Sequence, residues 1–330
     1  MLVFRIFKMV VFIIRFRKKQ KKFNDYFIDK FLSPFEKQYQ SNINPGTFHR
    51  IKEYYGYAIP LTCGAFASIY GRELSSQERE NAILAAIITP LIDDFTDKNK
   101  LSIKQLDYLV SFPSNYIPTN LEEAVVRNIL DHLMTTVSSP DGTIKEFKRT
   151  LAAQHWSEKQ LDQTLPEDEI FRITWEKGGA SLLLLHYMIK EIPDGQMIGV
   201  INQLGGAIQL CNDIFDFYKD MQEGVKTLAT CSEDFAKLET LCFAECVKFN
   251  KMASGLNHKK NNLSLFIPFF SMVLGSGMVA VNKLSKLQQK LGGDPLSIRR
   301  VERKELVCDM EKTSNILRSI RYSYKIIKSA

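Results

Sequence analysis

Along nearly the whole chain apolar residues recur three and four positions apart, the spacing that lines one side of an α-helix. Alternating runs of the kind that make half-buried strands are nearly absent, so the pattern predicts an all-α fold. Two apolar stretches are long enough to be buried helices: AILAAIITPLI at 82–92 and VINQLGGAIQLC at 200–211. Ser75-Ser76-Gln77-Glu78 reads as a capping box opening the first of them. Gly178-Gly179 is expected to break or bend a helix, and a final helix is expected from Ser297 to about Lys325. No internal repeat or linker interrupts the pattern. The expected organisation is therefore an N-terminal extension, 1–40, followed by a single all-α domain, 41–330.

Each apolar stretch runs into acids. Asp93-Asp94-Phe95-Thr96-Asp97 ends the first, and Asn212-Asp213-Ile214-Phe215-Asp216-Phe217-Tyr218-Lys219-Asp220 follows the second. Ionised carboxylates are kept off buried faces unless paired or metal-bound. At helical spacing Asp93 stacks over Asp97, while Asn212, Asp216 and Asp220 form a three-step ladder continued by Gln209 and Gly205, with Asp213 to one side. Such an all-oxygen set suits magnesium, sharing the ion with phosphate oxygens, better than zinc or a calcium cage. A helix running into a solvated loop also ends in acids, so the first cluster alone is weak; the ladder is the stronger signal.

With these motifs the chain resembles the class I isoprenoid synthases over about residues 50–325. Asp93, Asp94 and Asp97 match the aspartate-rich motif of the terpene cyclases. Asn212, Asp216 and Asp220 match the ligand positions of their second motif, with aspartates where Ser or Thr and Glu are usual. The resemblance implies a helical bundle around a central apolar cavity. It also implies three magnesium ions, held by the six residues against a prenyl diphosphate, with Asp93, Asp97, Asn212, Asp216 and Asp220 as the catalytic set. Arg172 and Lys177, in FRITWEKGGAS, correspond loosely to a diphosphate sensor; Lys219 precedes the last acid as in the cyclases, and Arg321-Tyr322 resembles their diphosphate-binding Arg-Tyr pair. The implied activity is ionisation and cyclisation of farnesyl or geranylgeranyl diphosphate. Head-to-head squalene and phytoene synthases share the second spacing and are the alternative, but their Arg before the middle aspartate is Phe215 here. A non-catalytic relic of the fold is the third reading. KNKLS after Asp97 lacks the arginine pair of chain-elongating synthases. Membrane aromatic prenyltransferases need many spans of about twenty apolar residues, and none is expected here.

The 330 residues are 45% hydrophobic, enough for a sizeable core. Phe66, Phe95, Trp175, Phe215 and Phe217 are candidates to face a carbocation, though each is more simply read as core. His186, in LLLLHYM, is read as a hydrogen-bonded core residue. Six cysteines without C-x-x-C indicate neither a zinc site nor a redox pair, and a reducing cytoplasmic setting is expected. The net charge of +7 comes largely from the two ends, and no aromatic-basic module points to nucleic acid. The start, MLVFRIFKMVVFIIRFRKKQKK, is apolar and then basic; it reads as a peripheral membrane-interfacial helix, a frayed tail or an upstream start-codon artefact. The resemblance also leaves room for a homodimer.

Overall fold

In a computed structural model, residues 2–98 and 100–330 are described, except for the side chains of 2–8, 10, 25, 97 and 295. Every regular element among them is helical, as the apolar spacing predicts. The chain divides into two compact units: Ile6–His155 with Leu183–Pro193, and the residues up to Arg5 with Trp156–Leu182 and Asp194–Ala330.

The first unit contains α1 (Leu2–Tyr39) from Ile6 onward, α2 (Pro45–His49), a π-helical turn (Arg50–Tyr55), α3 (Gly56–Ile69), α4 (Ser76–Asp97), α5 (Ile103–Ser111), α6 (Leu121–Thr136) and most of α7 (Pro140–Ser157). α4 packs against α3 and α6. Ile83, Leu84, Ile87 and Ile88 are buried, and Phe95 carries the apolar face to the acidic end. Its capping box forms: Ser75 Oγ accepts from the Glu78 amide at 3.2 Å, and Glu78 accepts from the Ser75 amide at 2.7 Å. A second, unanticipated box joins Ser102 and Gln105 at the start of α5. Residues 2–39 of the N-terminal segment form α1, whose Met9, Ile28 and Leu32 are buried. Asn24 donates to the carbonyl of Gly56 at 2.8 Å.

α8 (Glu167–His186) belongs to the second unit as far as Leu182. There follow α9 (Gly195–Phe215), α10 (Phe217–Glu223), α11 (Phe235–Ser254), α12 (Lys260–Lys290), the short α13 (Pro295–Ile298) and α14 (Arg303–Leu306), and α15 (Thr313–Ser329). α12 packs against α9, α11 and α15. Gly275 admits α15, because a Cβ there would lie 2.5 Å from the Ser319 carbonyl.

Three expectations are corrected. The last helix begins at Thr313; the Ser297 segment is a single turn capped by Asp294, and Val307 is extended while Asn315 bonds the Asp309 carbonyl at 2.8 Å. Gly178-Gly179 does not interrupt α8. One helix, Lys260–Lys290, is long and apolar enough to cross a membrane by length and composition, although 67% of its apolar window is packed inside the protein.

Candidate functional site

In the second unit the ladder spans the junction of α9 and α10, where Asp216 leaves ideal helical geometry at φ −85° and ψ 4°. The register survives this junction. The Asp216 amide bonds the Asn212 carbonyl at 2.8 Å and the Asp220 amide bonds the Asp216 carbonyl at 2.9 Å, so the three side chains stay about one turn apart. Asn212 and Asp216 are exposed and Asp220 is half-buried.

Asp213, set aside by spacing alone, is buried beside them. It accepts from Gln209 at 2.9 Å and from Thr174 of α8 at 3.2 Å. Burial pushes its carboxyl up to about 6 despite these bonds and Lys177. Burial, and then repulsion from Asp213 and Asp216, pushes Asp220 up to about 7. Lys219, exposed, lowers Asp220 and lies 3.9 Å from Glu223.

Thr174 and Lys177 reach α9 because the two helices cross on bare backbone. A Cβ on Gly178 would stand 2.1 Å from the Gly205 carbonyl oxygen, and Trp175 lies where a Gly206 side chain would go. The glycines thus permit contact rather than a bend. Gly178→Ala is expected to destabilise the protein by at least ~2 kcal/mol, since the obstruction is backbone and cannot turn aside. Gly199→Ala, on α9 with only Met252 at 3.7 Å, is expected to be neutral or to stabilise by up to ~1 kcal/mol. Urea denaturation of both variants checks the contrast.

The first unit carries the other acids. Asp93 accepts from the Tyr55 hydroxyl at 3.3 Å. Asp94 is held by Thr47 at 2.5 Å, Arg50 at 2.5 Å and Lys98 at 3.1 Å. These partners outweigh its burial and keep its carboxyl below the ordinary carboxylate value. The two neighbouring acids are therefore unlike: Asp94 is tied into the fold by cations. The side chain of Asp97 lies outside the described residues.

Arg172 is exposed and lies over the Trp156 ring, 5.3 Å from its centroid. The Tyr322 hydroxyl donates to Glu239 of α11 at 3.3 Å, and the charges around it are Glu239, Arg318 and Arg321. Of the aromatic candidates, Phe66, Phe95 and Phe217 are core residues, whereas Trp175, stacked on Phe171, and Phe215 keep partial exposure. His186 is buried, with Nε2 3.4 Å from the Tyr70 hydroxyl, and desolvation lowers its pKa to about 3.

The donors on α9 and α10 are hard oxygens, which fits magnesium. Among the described residues no group of three or more His, Cys, Asp or Glu converges as a metal cage. A bound ion would therefore complete its shell with phosphate oxygens and water, as magnesium ordinarily does. Sequence reasoning missed Thr47, Arg50, Tyr55 and Thr174, which belong to no motif; Asp213 was legible as the residue four after Gln209. Compared with known proteins, the chain matches no family model and no curated protein.

Proposed function

We propose that the protein is a magnesium-dependent class I terpene synthase that ionises a linear prenyl diphosphate, farnesyl or geranylgeranyl, and closes the allylic cation to a cyclic hydrocarbon. One observation carries the reading. Three oxygen side chains stand a turn apart beside a buried carboxylate, without the cations that neutralise Asp94. A fold that gathers acids this way favours a bound cation.

In this reading Asn212, Asp216 and Asp220 are ligands from α9 and α10, and Asp93 and Asp97 are ligands from the end of α4. Asp94 anchors that end through Arg50 and Thr47. Bound magnesium supplies the neutralisation that turns diphosphate into a leaving group. Lys177, Lys219 and Arg172 are the basic residues assigned to its oxygens. Trp175 and Phe215 present aromatic faces suited to an allylic cation and help exclude water.

The test is incubation with magnesium and geranyl, farnesyl or geranylgeranyl diphosphate, followed by mass spectrometry of extracted hydrocarbons. The expected product has the substrate's carbon count, requires magnesium and is indifferent to NADPH. Twice that count would replace this reading with head-to-head condensation. No product from any substrate, with no joint stabilisation by magnesium and diphosphate, would leave a non-catalytic protein of the same fold.

A further inference from the structure

Ile14, Arg17, Lys18, Lys21 and Lys22 follow one another along α1 at steps of three, one, three and one, so they share one side of the helix, where they line an open hollow of about 460 Å³. Arg15 and Lys19 flank them, and all of these cations are exposed. Ile14 and Tyr26, at the two ends of the basic stretch, are 62% and 64% exposed. The opposite side of the helix is occupied. Phe12 and Phe16 lie against α3, where a Cβ on Gly64 would stand 2.9 Å from the Phe16 ring and 3.6 Å from the Phe12 ring. Gln20 is buried and donates at 2.8 Å to Asn24, which in turn bonds the Gly56 carbonyl. α1 is therefore seated on the first unit, and its apolar side is not free to sink into a bilayer as that of an interfacial helix would.

Like charges three and four positions apart repel, and few acids answer these. Glu73 pairs with Lys19 at 3.3 Å, and Asp29 is taken by Lys52 at 2.8 Å. Among the described residues Arg15, Arg17, Lys18, Lys21 and Lys22 have no carboxylate at ion-pair distance; Arg17 lies instead over the Tyr57 ring, 5.7 Å from its centroid. The charges run along ~12 Å of convex helix rather than converging on a point, so a plane of many anions complements them better than one small anion. The exposed apolar groups narrow the choice. Ile14 would find apolar partners at a lipid surface and none on a phosphodiester backbone. Tyr26, whose hydroxyl accepts from Lys30 at 3.0 Å, is an amphipathic ring of the kind that sits at headgroup level.

We propose that this side of α1 is a docking surface for a bilayer containing anionic phospholipid, held by charge while the apolar side of the helix stays on the protein. Clusters of about four to eight Lys and Arg adsorb to such surfaces, each cation adding to the attraction. The surface uses none of the residues assigned to metal or diphosphate and does not depend on the reaction proposed above.

The test is co-sedimentation of the full chain with phosphatidylcholine vesicles, with and without phosphatidylserine. Binding is expected only with phosphatidylserine, and it should fall as salt rises from about 0.1 M to about 1 M and the screening length shrinks from ~10 Å to ~3 Å. Lys18→Gln with Lys21→Gln and Lys22→Gln, all exposed, should weaken binding at least ~10-fold. Lys18→Arg with Lys21→Arg and Lys22→Arg, which keeps the charge, should bind like the unsubstituted protein. Lys251→Gln with Lys259→Gln and Lys260→Gln, which removes the same charge from exposed positions elsewhere, should leave binding nearly unchanged. Equal binding to pure phosphatidylcholine, or indifference to the glutamine substitutions in α1, overturns the proposal. Tighter binding to duplex DNA than to the vesicles at the same salt overturns it in favour of a nucleic acid. Asp216→Ala should bind vesicles unchanged, so loss of magnesium-dependent turnover and loss of docking are separate failures.

Discussion

Asp216→Ala is expected to reduce magnesium-dependent product formation by about 10²–10³-fold or more, with the helical circular dichroism unchanged. The side chain is exposed, and the junction is held by backbone bonds that alanine keeps. Asp93→Asn should act similarly from the other acidic segment. The metal-free protein gives an independent signature in its pH dependence. Asp213 and Asp220, at about 6 and about 7, both lie above the ordinary 3.8. Their stabilising contribution is complete below pH ~4, where both states are protonated, and is lost as pH rises through 6 to 7 and the folded carboxyls must ionise. For buried Asp213 the loss by pH 8 is about 3 kcal/mol; half-buried Asp220 adds less, because solvent screens it. Thermal melts in EDTA should therefore fall between pH 5 and 8, and magnesium, which favours the ionised forms, should restore stability mainly at the upper end. Asp216→Ala should shrink both trends by removing a charge that repels Asp213 and Asp220. Melts flat with pH and indifferent to magnesium would remove the ladder from consideration as a cation site.

Glu78→Ala should cost more than any other single carboxylate truncation, about 3–5 kcal/mol. The side chain is 4% exposed. It accepts a bidentate pair from Arg72, the Ser75 amide at 2.7 Å and the Lys190 amide at 2.8 Å. It therefore joins the cap of α4 to the segment after α8, while Arg72 also grips Glu191. Alanine would leave a half-buried guanidinium with one acid and two amides without acceptors. Despite burial, these donors hold the carboxyl down at about 2. Its contribution is present above pH ~4.5 and is lost as pH falls towards 2. Glu78→Gln, which keeps the shape but not the charge, should show a smaller loss and a shallower acid limb. Chemical denaturation at pH 7 and pH 3 measures both.

Local rules of spacing carried over from sequence to structure where the cause was local. The all-α character, the Ser75–Glu78 cap and the stacking of Asn212, Asp216 and Asp220 depend on residues within one or two turns, so the sequence displays them. What failed depended on partners far along the chain. Gly178-Gly179 looked like a break because nothing nearby says that Gly205 lies against it. Ser297 looked like a helix start because the extended segment around Val307 is invisible to helical periodicity. The bond from Tyr322 to Glu239, 83 residues earlier, was likewise invisible to local spacing. The apolar Lys260–Lys290 stretch was overlooked as a possible span, and it is core largely because α9, α11 and α15 cover it.

The π-helical turn at Arg50–Tyr55 has a further consequence. Its wider ring accommodates one residue more than an α-turn, and each residue of helix is worth about 100° of rotation. Residues before and after it therefore belong to two angular phases, and it is this offset that lets Arg50 meet Asp94 while Tyr55 meets Asp93. The number of residues here matters as much as their kind. Deleting one from 50–55 would give a smoother helix and swing one of the two side chains about a quarter-turn from its acid, although no contacting residue had been changed.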